Sequence, residues 1–367
     1  MAMIPSWRPQ ILPFQVSGLM VTAATDVVRL PAQGPLKELG TLYSMAQELR
    51  WLDDQRFAIG RWDGTLTVFN FPNVPAPNPS ITSAAVSPAF SGVEMIVDVS
   101  STMFASSCDG SSIALWEKNV IQQCTGIPMH KATYDPSVGV ANSGTVVASG
   151  GKRFLLTGHA EGYVLIWEID AAANALQLAI SITTRSPNPI PSPYRLWNIR
   201  EIAPVADGIA VCGSEDGDIC FITVPDGAIR SRTRYNPSAQ RGINDLSVLG
   251  DYLAVANCSV GSNDKNLWLF RIKDFGITLL DSKDLKADAS TPQAFNFDVE
   301  LARQGNRTTY FSATQEGLLW IGDVQNDRLM DGSNLPISSH FGAALNFRAS
   351  RGLLAVAGDN IHLFRLT

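Results

Sequence analysis

Two stretches decide how this 367-residue chain folds: Phe57-Ala58-Ile59-Gly60-Arg61-Trp62-Asp63-Gly64-Thr65-Leu66-Thr67-Val68-Phe69 and Leu155-Leu156-Thr157-Gly158-His159-Ala160-Glu161-Gly162-Tyr163-Val164-Leu165-Ile166-Trp167. Each is an apolar strand of small residues, an Asp-Gly or Glu-Gly turn, and a second apolar strand ending in an aromatic. Glycine in the turn supplies positive φ at low steric cost, as a tight hairpin requires. The pattern returns with turn residues at Val27 (after Asp26), Gly64, Gly110, Gly162, Gly217, Asn266, Gly317 and Asn360, at spacings of 37, 46, 52, 55, 49, 51 and 43 residues. A unit of this length cannot bury its apolar faces alone, so the copies must stack on one another.

Further strands flank the hairpins. Residues 48–52 precede the second hairpin and 343–347 the last, while 120–124 and 176–180 follow theirs. Four strands at a spacing close to the ~40–45 residues of a propeller blade predict an all-β chain. The expected architecture is a single β-propeller domain over residues 1–367, built of four-stranded antiparallel blades. Eight hairpins predict eight blades, with seven as the alternative. The last hairpin ends close to residue 367 and leaves its blade without an outer strand, so residues 1–10 are expected to supply it, Met3 to Trp7 pairing beside residues 361–366. Closing the ring this way removes exposed sheet edges. No segment shows sustained 3.6-residue periodicity with caps, so long helices are not expected.

Hydrophobic residues make up 45% of the chain, enough for a sizeable core, and charged residues only 17%, with a net charge of −6. A weakly acidic, charge-poor surface argues against a nucleic-acid backbone as partner. The cysteines Cys108, Cys124, Cys212, Cys220 and Cys258 fall in or near predicted strands and contain no C-x-x-C pair, which reads as buried free thiols rather than a zinc site. The first residues lack a basic segment followed by an apolar core, and no apolar run approaches the ~20 residues a membrane helix needs. A cytoplasmic protein without membrane insertion is the expectation.

The ends of the second hairpin strands carry a resemblance. Leu115-Trp116-Glu117-Lys118, Ile166-Trp167-Glu168-Ile169 and Leu319-Trp320-Ile321-Gly322-Asp323 are WD-like, and Phe69, Phe221, Phe270 and Phe364 take the aromatic place elsewhere. With them the whole chain resembles a divergent WD40-repeat β-propeller. The family's Gly-His dipeptide is largely missing: His340 is the best remaining match, and Gly158-His159 lies inside a hairpin. The resemblance therefore implies a buried Asp-His-Ser-Trp network incomplete in most blades, and a protein that assembles complexes.

Catalytic and metal-binding patterns are absent from the sequence. The four histidines form no H-E-x-x-H or metal-spaced cluster, there is no G-x-S-x-G elbow, and around Gly150-Gly151-Lys152-Arg153 the first Walker glycine is Val146 and the Ser/Thr is Arg153. No cofactor, metal or catalytic residue is expected. The turn acids, among them Asp109, Asp216 and Glu316, either cap their own turns or form an acidic ring around the channel for a basic peptide or cation. Arg61-Trp62 at a turn tip offers large contact area with a polar handle, unless Trp62 folds onto the neighbouring blade. Tyr194 and Arg195, at the end of the Pro-rich loop 186–193, are expected on the same face, with Trp197 entering the core. His159 is a departure from the Asp/Glu-Gly monotony and joins the partner-binding candidates. The expected function is a non-enzymatic scaffold presenting this loop face to a protein or peptide. The rivals are an enzyme, small-ligand or metal binder in the axial channel, and a structural subunit of an obligate complex.

Overall fold

The computed structural model describes residues 46–61, 64–70, 80–85, 92–108, 111–118, 128–189, 197–239, 241–258, 265–286, 295–337, 344–350, 352–357 and 361–366, with the strands Phe14–Val16 and Leu19–Ala23. These residues form antiparallel sheets of four or five strands, each made of strands that follow one another in the chain except in the last. Blade 1 spans residues 46–85, blade 2 96–133, blade 3 141–183, blade 4 199–234, blade 5 243–283 and blade 6 296–336. Blade 3 is the most regular, with strands Ala141–Ser149, Lys152–His159, Tyr163–Asp170 and Ala175–Thr183. Its hairpin pairs Leu155 with Trp167 and Gly158 with Val164, and Gly162 sits at φ +73° in the turn.

Blade 7 joins the two ends of the chain. Ala344–Arg348, Leu353–Ala357 and Ile361–Leu366 are continued by Leu19–Ala23, where Val21 faces Leu366 and Ala23 faces Phe364. Among the described residues the sheets therefore number seven. The segment ahead of Val27, counted from sequence as a blade of its own, is the outer edge of blade 7. An N-terminal strand does pair beside residues 361–366, but it is Leu19–Ala23; Met3 to Trp7 lie outside the described residues.

The period-2 pattern explains how the sheets stack. In blade 1, Ala58, Leu66 and Val68 pack with Val93, Ile96, Phe104 and Trp116 of blade 2, whereas Leu49, Trp51, Phe57 and Ile59 pack with Leu353 and Ala355 of blade 7. Alternate residues face opposite neighbours. The same two-sided packing joins blades 2 and 3, 3 and 4, 4 and 5, 5 and 6, and 6 and 7. Between blades 1 and 2 there is no room for a side chain at Gly60: a Cβ there would lie 2.3 Å from the carbonyl oxygen of Val93, in the segment leading into blade 2. Gly60→Ala is thus expected to cost about 3 kcal/mol, the upper range for overpacking, read as a lower urea midpoint. A wild-type midpoint would contradict the packing.

Candidate functional site

The turns between the second and third strands share one face with the loops that lead from one blade to the next. The backbone shows it directly: Thr184 N donates to Gly162 O (2.8 Å), Tyr235 N to Gly217 O (3.1 Å) and Ile337 N to Gly317 O (2.8 Å). At the junction of blades 3 and 4 the base of the Pro-rich loop is pinned. Asp216 accepts from Ser186 N (2.8 Å), Arg232 donates to Thr184 O (2.6 Å), and Arg234 donates to Asn188 O (2.5 Å). Asp218, almost fully buried, holds both arginines.

Beside this base stands an aromatic and charged cluster. Arg185 lies with its guanidinium carbon 4.6 Å from the centre of the Trp197 ring and 5.3 Å from that of Tyr163. It also donates to the carbonyl (2.6 Å) and the carboxylate (3.0 Å) of Glu161. The Arg185 and Glu161 side chains are 36% and 48% exposed, so the cluster is presented rather than buried. Trp197, expected in the core, is only half-buried.

The sequence candidates divide. Arg61 ends the second strand of blade 1 at its turn, its carbonyl accepting from Gly64 N and Val93 N. Trp62, Asp109, Tyr194 and Arg195 lie outside the described residues. His159 is fully buried and Asp216 is 2% exposed, so neither can meet a partner. Asp216 instead organises its own turn, accepting from Ser214 Oγ and Asp218 N besides Ser186. Glu316 is half-buried, and its carboxylate oxygens are covered.

The axial channel carries the acids that the turns do not. Glu48, Glu201, Asp245, Asp298 and Glu300, with Arg50, line a cavity of about 160 Å³. These residues sit on the innermost strands and stitch each to the next. Asp245 accepts from Val299 N (2.7 Å), Asp298 from Leu345 N (2.8 Å), and Asn346 from Trp51 N (3.0 Å). Two carboxyls and one side-chain amide thereby satisfy edge N–H groups that would otherwise be orphaned. Arg50 pairs with Glu48 at 3.1 Å and Glu201 at 3.7 Å. Burial pushes Glu48 up to about 7 and Glu300 up to about 8 despite Arg50, and it raises Glu201, Asp245 and Asp298 well above the carboxylate range. The sequence held a signal for this ring: an acid followed by an aliphatic recurs at Glu48-Leu49, Glu201-Ile202, Asp245-Leu246 and Asp298-Val299. Among the described residues no group of three His, Cys, Asp or Glu has the geometry to hold a metal ion, and no helix is long and apolar enough to cross a membrane.

In three dimensions the chain is similar to the WD40 β-propeller domain of Doa1, at 12% identity over 94% of this chain and 96% of that one, with a TM-score of 0.66. It is similar as well to the RRP9 WD40 repeats (14% identity, 95% and 100% covered, TM-score 0.67) and to the Pan2 WD40 domain of Neurospora crassa (12%, 94% and 94%, 0.62). The chain has the WD40 propeller fold. No protein-family model and no curated protein matches its sequence.

Tryptophan-anchored hydrogen bonds recur in three of the described blades. Trp116 donates to Ser106 Oγ (2.9 Å) in blade 2 and Trp167 to Thr157 Oγ1 (3.0 Å) in blade 3; in blade 5 Trp268 donates to Asn257 Oδ1 (2.8 Å). His159 belongs to the blade 3 network. Its Nε2 meets Thr157 Oγ1 at 2.8 Å, its Nδ1 meets Gly139 O at 3.1 Å, and its ring stacks edge-on against Tyr134. Burial lowers it to about 4, with Gly139 O opposing, so the imidazole is neutral at pH 7.

Proposed function

We propose that this chain is a non-enzymatic cytoplasmic scaffold, a single propeller domain whose turn-tip face receives a protein or peptide partner. The observation that carries the reading is the presentation of Arg185, Trp197, Tyr163 and Glu161 on a loop base held rigid by Arg232 and Arg234. Arginine and large aromatics are the residues on which binding energy concentrates, and a pre-ordered platform loses little entropy when it is covered. Arg61 with Trp62, and Tyr194 with Arg195, are the further contacts proposed on this face. A charge of −6 disfavours a nucleic-acid backbone as the partner.

Affinity capture from the native cell identifies the co-purifying protein, and three variants then test the face. Arg61→Ala/Trp62→Ala and Arg185→Ala are expected to reduce retention of that partner at least ~10-fold, the effect of losing one strong anchor. Leu279→Ala, at the half-exposed outer strand of blade 5, is expected to retain it. Retention by both turn-tip variants together with loss in the blade 5 variant overturns the proposal.

A further inference from the structure

The outer edge of a blade is a row of backbone groups open to another strand, and most of these edges carry a feature that discourages pairing. The outer strand of blade 4 bears Arg230, Arg232 and Arg234, and that of blade 5 bears Asp281 and Lys283. In blade 2 it is four residues long and includes Lys131, and in blade 1 Ser80–Ala85 directly follows Pro79. Blade 6 has its outer strand split into Arg328–Leu329 and Ser333–Pro336, and blade 7 ends in the three residues Phe14–Val16. Blade 3 is the exception. Its outer strand, Ala175–Thr183, runs for nine residues without a charge, a proline or a glycine. Gln177, Leu178, Ala179, Ser181 and Thr183 are exposed, Leu178 at 41%, and among the described residues no strand pairs with its outer side.

The ladder fixes which backbone groups of this strand point outward. Thr184 N donates to Gly162 O, so the next pair, Thr183 opposite Tyr163, exchanges no bonds, and both backbone polar groups of Thr183 point away from the blade. Alternation assigns the same orientation to Ser181, opposite Leu165. Ala179 is a bulge, with Ile180 facing Ile166 and Leu178 facing Trp167, and beyond it the outward residues are Leu178 and Leu176. Outward positions thus fall at Leu176, Leu178, Ser181 and Thr183, and their spacing reads the same in both directions. A regular strand from another protein matches two of them and falls out of phase at the bulge. An antiparallel copy of the same strand matches all of them, its own bulge lying opposite the first.

We propose that the outer edge of blade 3 is a dimerisation surface, and that its occupant is a second copy of this chain. The two strands run antiparallel about a two-fold axis at the bulges. Leu176 of one copy pairs with Thr183 of the other and Leu178 with Ser181, and symmetry supplies the reverse pairs. Each pair exchanges two backbone hydrogen bonds, and the seam joins two four-stranded blades into one continuous sheet. No charge lies in the seam, so two copies that each carry −6 meet there without like charges opposed. Both copies use the same patch, so the contact closes at two and does not propagate. A single strand edge is a small interface, and the association is accordingly weak and reversible. The pairing is independent of the partner proposed for the turn-tip face.

The test sediments the folded full-length chain from low to high micromolar concentration. A monomer–dimer equilibrium with no larger species is expected, and hydrogen exchange in the peptide covering residues 175–183 should slow as the dimer forms. Ser181→Pro removes an N–H that bonds to nothing within blade 3, so the variant should keep the wild-type circular dichroism spectrum. Leu178→Lys/Ser181→Lys keeps every backbone N–H and sets lysines directly opposite one another on both sides of the axis. Each variant is expected to weaken dimerisation at least ~10-fold, the loss of about 1.4 kcal/mol. Should Ser181→Pro fold poorly, the lysine variant, altered only at exposed positions, carries the comparison. A wild type that stays monomeric throughout, open-ended oligomers, or folded variants that dimerise as tightly as wild type would each overturn the proposal.

Discussion

Lys118→Ala is expected to lower the unfolding free energy by about 1.5–3 kcal/mol, the range for losing a hydrogen-bonding charged group, since Lys118 is buried but Asp98 is 35% exposed and keeps contact with water. The lysine is 2% exposed at the end of the third strand of blade 2. Its ammonium pairs with Asp98 at 2.7 Å and donates to the carbonyl of Leu52 in blade 1. Its own carbonyl accepts from Arg56 of blade 1 at 2.6 Å. The side chain thus joins two blades through an ammonium that is itself buried, with Asp98 at the solvent edge. Asp98 is raised by burial even with Lys118 beside it, so removing the lysine leaves a carboxyl poorly placed to carry charge. Lys118→Met keeps the stem's volume and should cost less. Adding Asp98→Asn to Lys118→Met should recover part of the loss, because no uncompensated charge remains. Urea unfolding of the three variants measures all of this, and a loss under ~1 kcal/mol for Lys118→Ala, the level of a surface pair, would show that the pair does not join the blades.

The second large effect is expected from pH. Glu48, Glu201, Asp245, Asp298 and Glu300 crowd the channel around the single guanidinium of Arg50. Burial alone would lower Arg50, but Glu48, Glu201, Glu300 and Asp245 more than offset that, so the cation persists while its neighbours compete for it. Each of the five carboxyls binds its proton more tightly folded than unfolded. The stability so conferred is complete below the ordinary glutamate value of 4.5 and is lost as pH rises through the folded values, about 7 for Glu48 and about 8 for Glu300. Between pH 5 and 8 the loss is on the order of a few kcal/mol, and the melting temperature should fall by roughly 5 °C or more. Glu300→Gln should flatten that decline, since the amide has no proton to lose. His159 works in the opposite sense: its stabilisation is present above its ordinary value of 6.5 and is lost as pH falls through about 4. A melting temperature flat from pH 5 to 8 in both wild type and Glu300→Gln would contradict the channel electrostatics.

Much of the blade was legible because it is written locally. The Asp/Glu-Gly turns require positive φ, and Gly64, Gly162, Gly217 and Gly317 adopt it. The aromatics that end the third strands anchor hydrogen bonds at Trp116 and Trp167, as the WD-like endings suggested. The partner face was less legible. Arg185 has no motif; it matters because Trp197, twelve residues along the chain, returns beneath it after the Pro-rich loop. His159 looked like a departure at a turn tip, yet two hydrogen bonds and Tyr134 draw it into the core of blade 3.

By itself the sequence determined the repeating antiparallel unit, its turns, and the need for sheets to cover one another, because alternation and turn chemistry act over a few residues. The number of sheets and the strand that closes the ring were decided by tertiary structure. A pairing such as Val21 with Leu366 spans nearly the whole chain, and no local pattern specifies it. The acidic channel was decided there too: its carboxyls are far apart in sequence, and only the convergence of inner strands on one axis makes them share a cation and pin one another's strand edges.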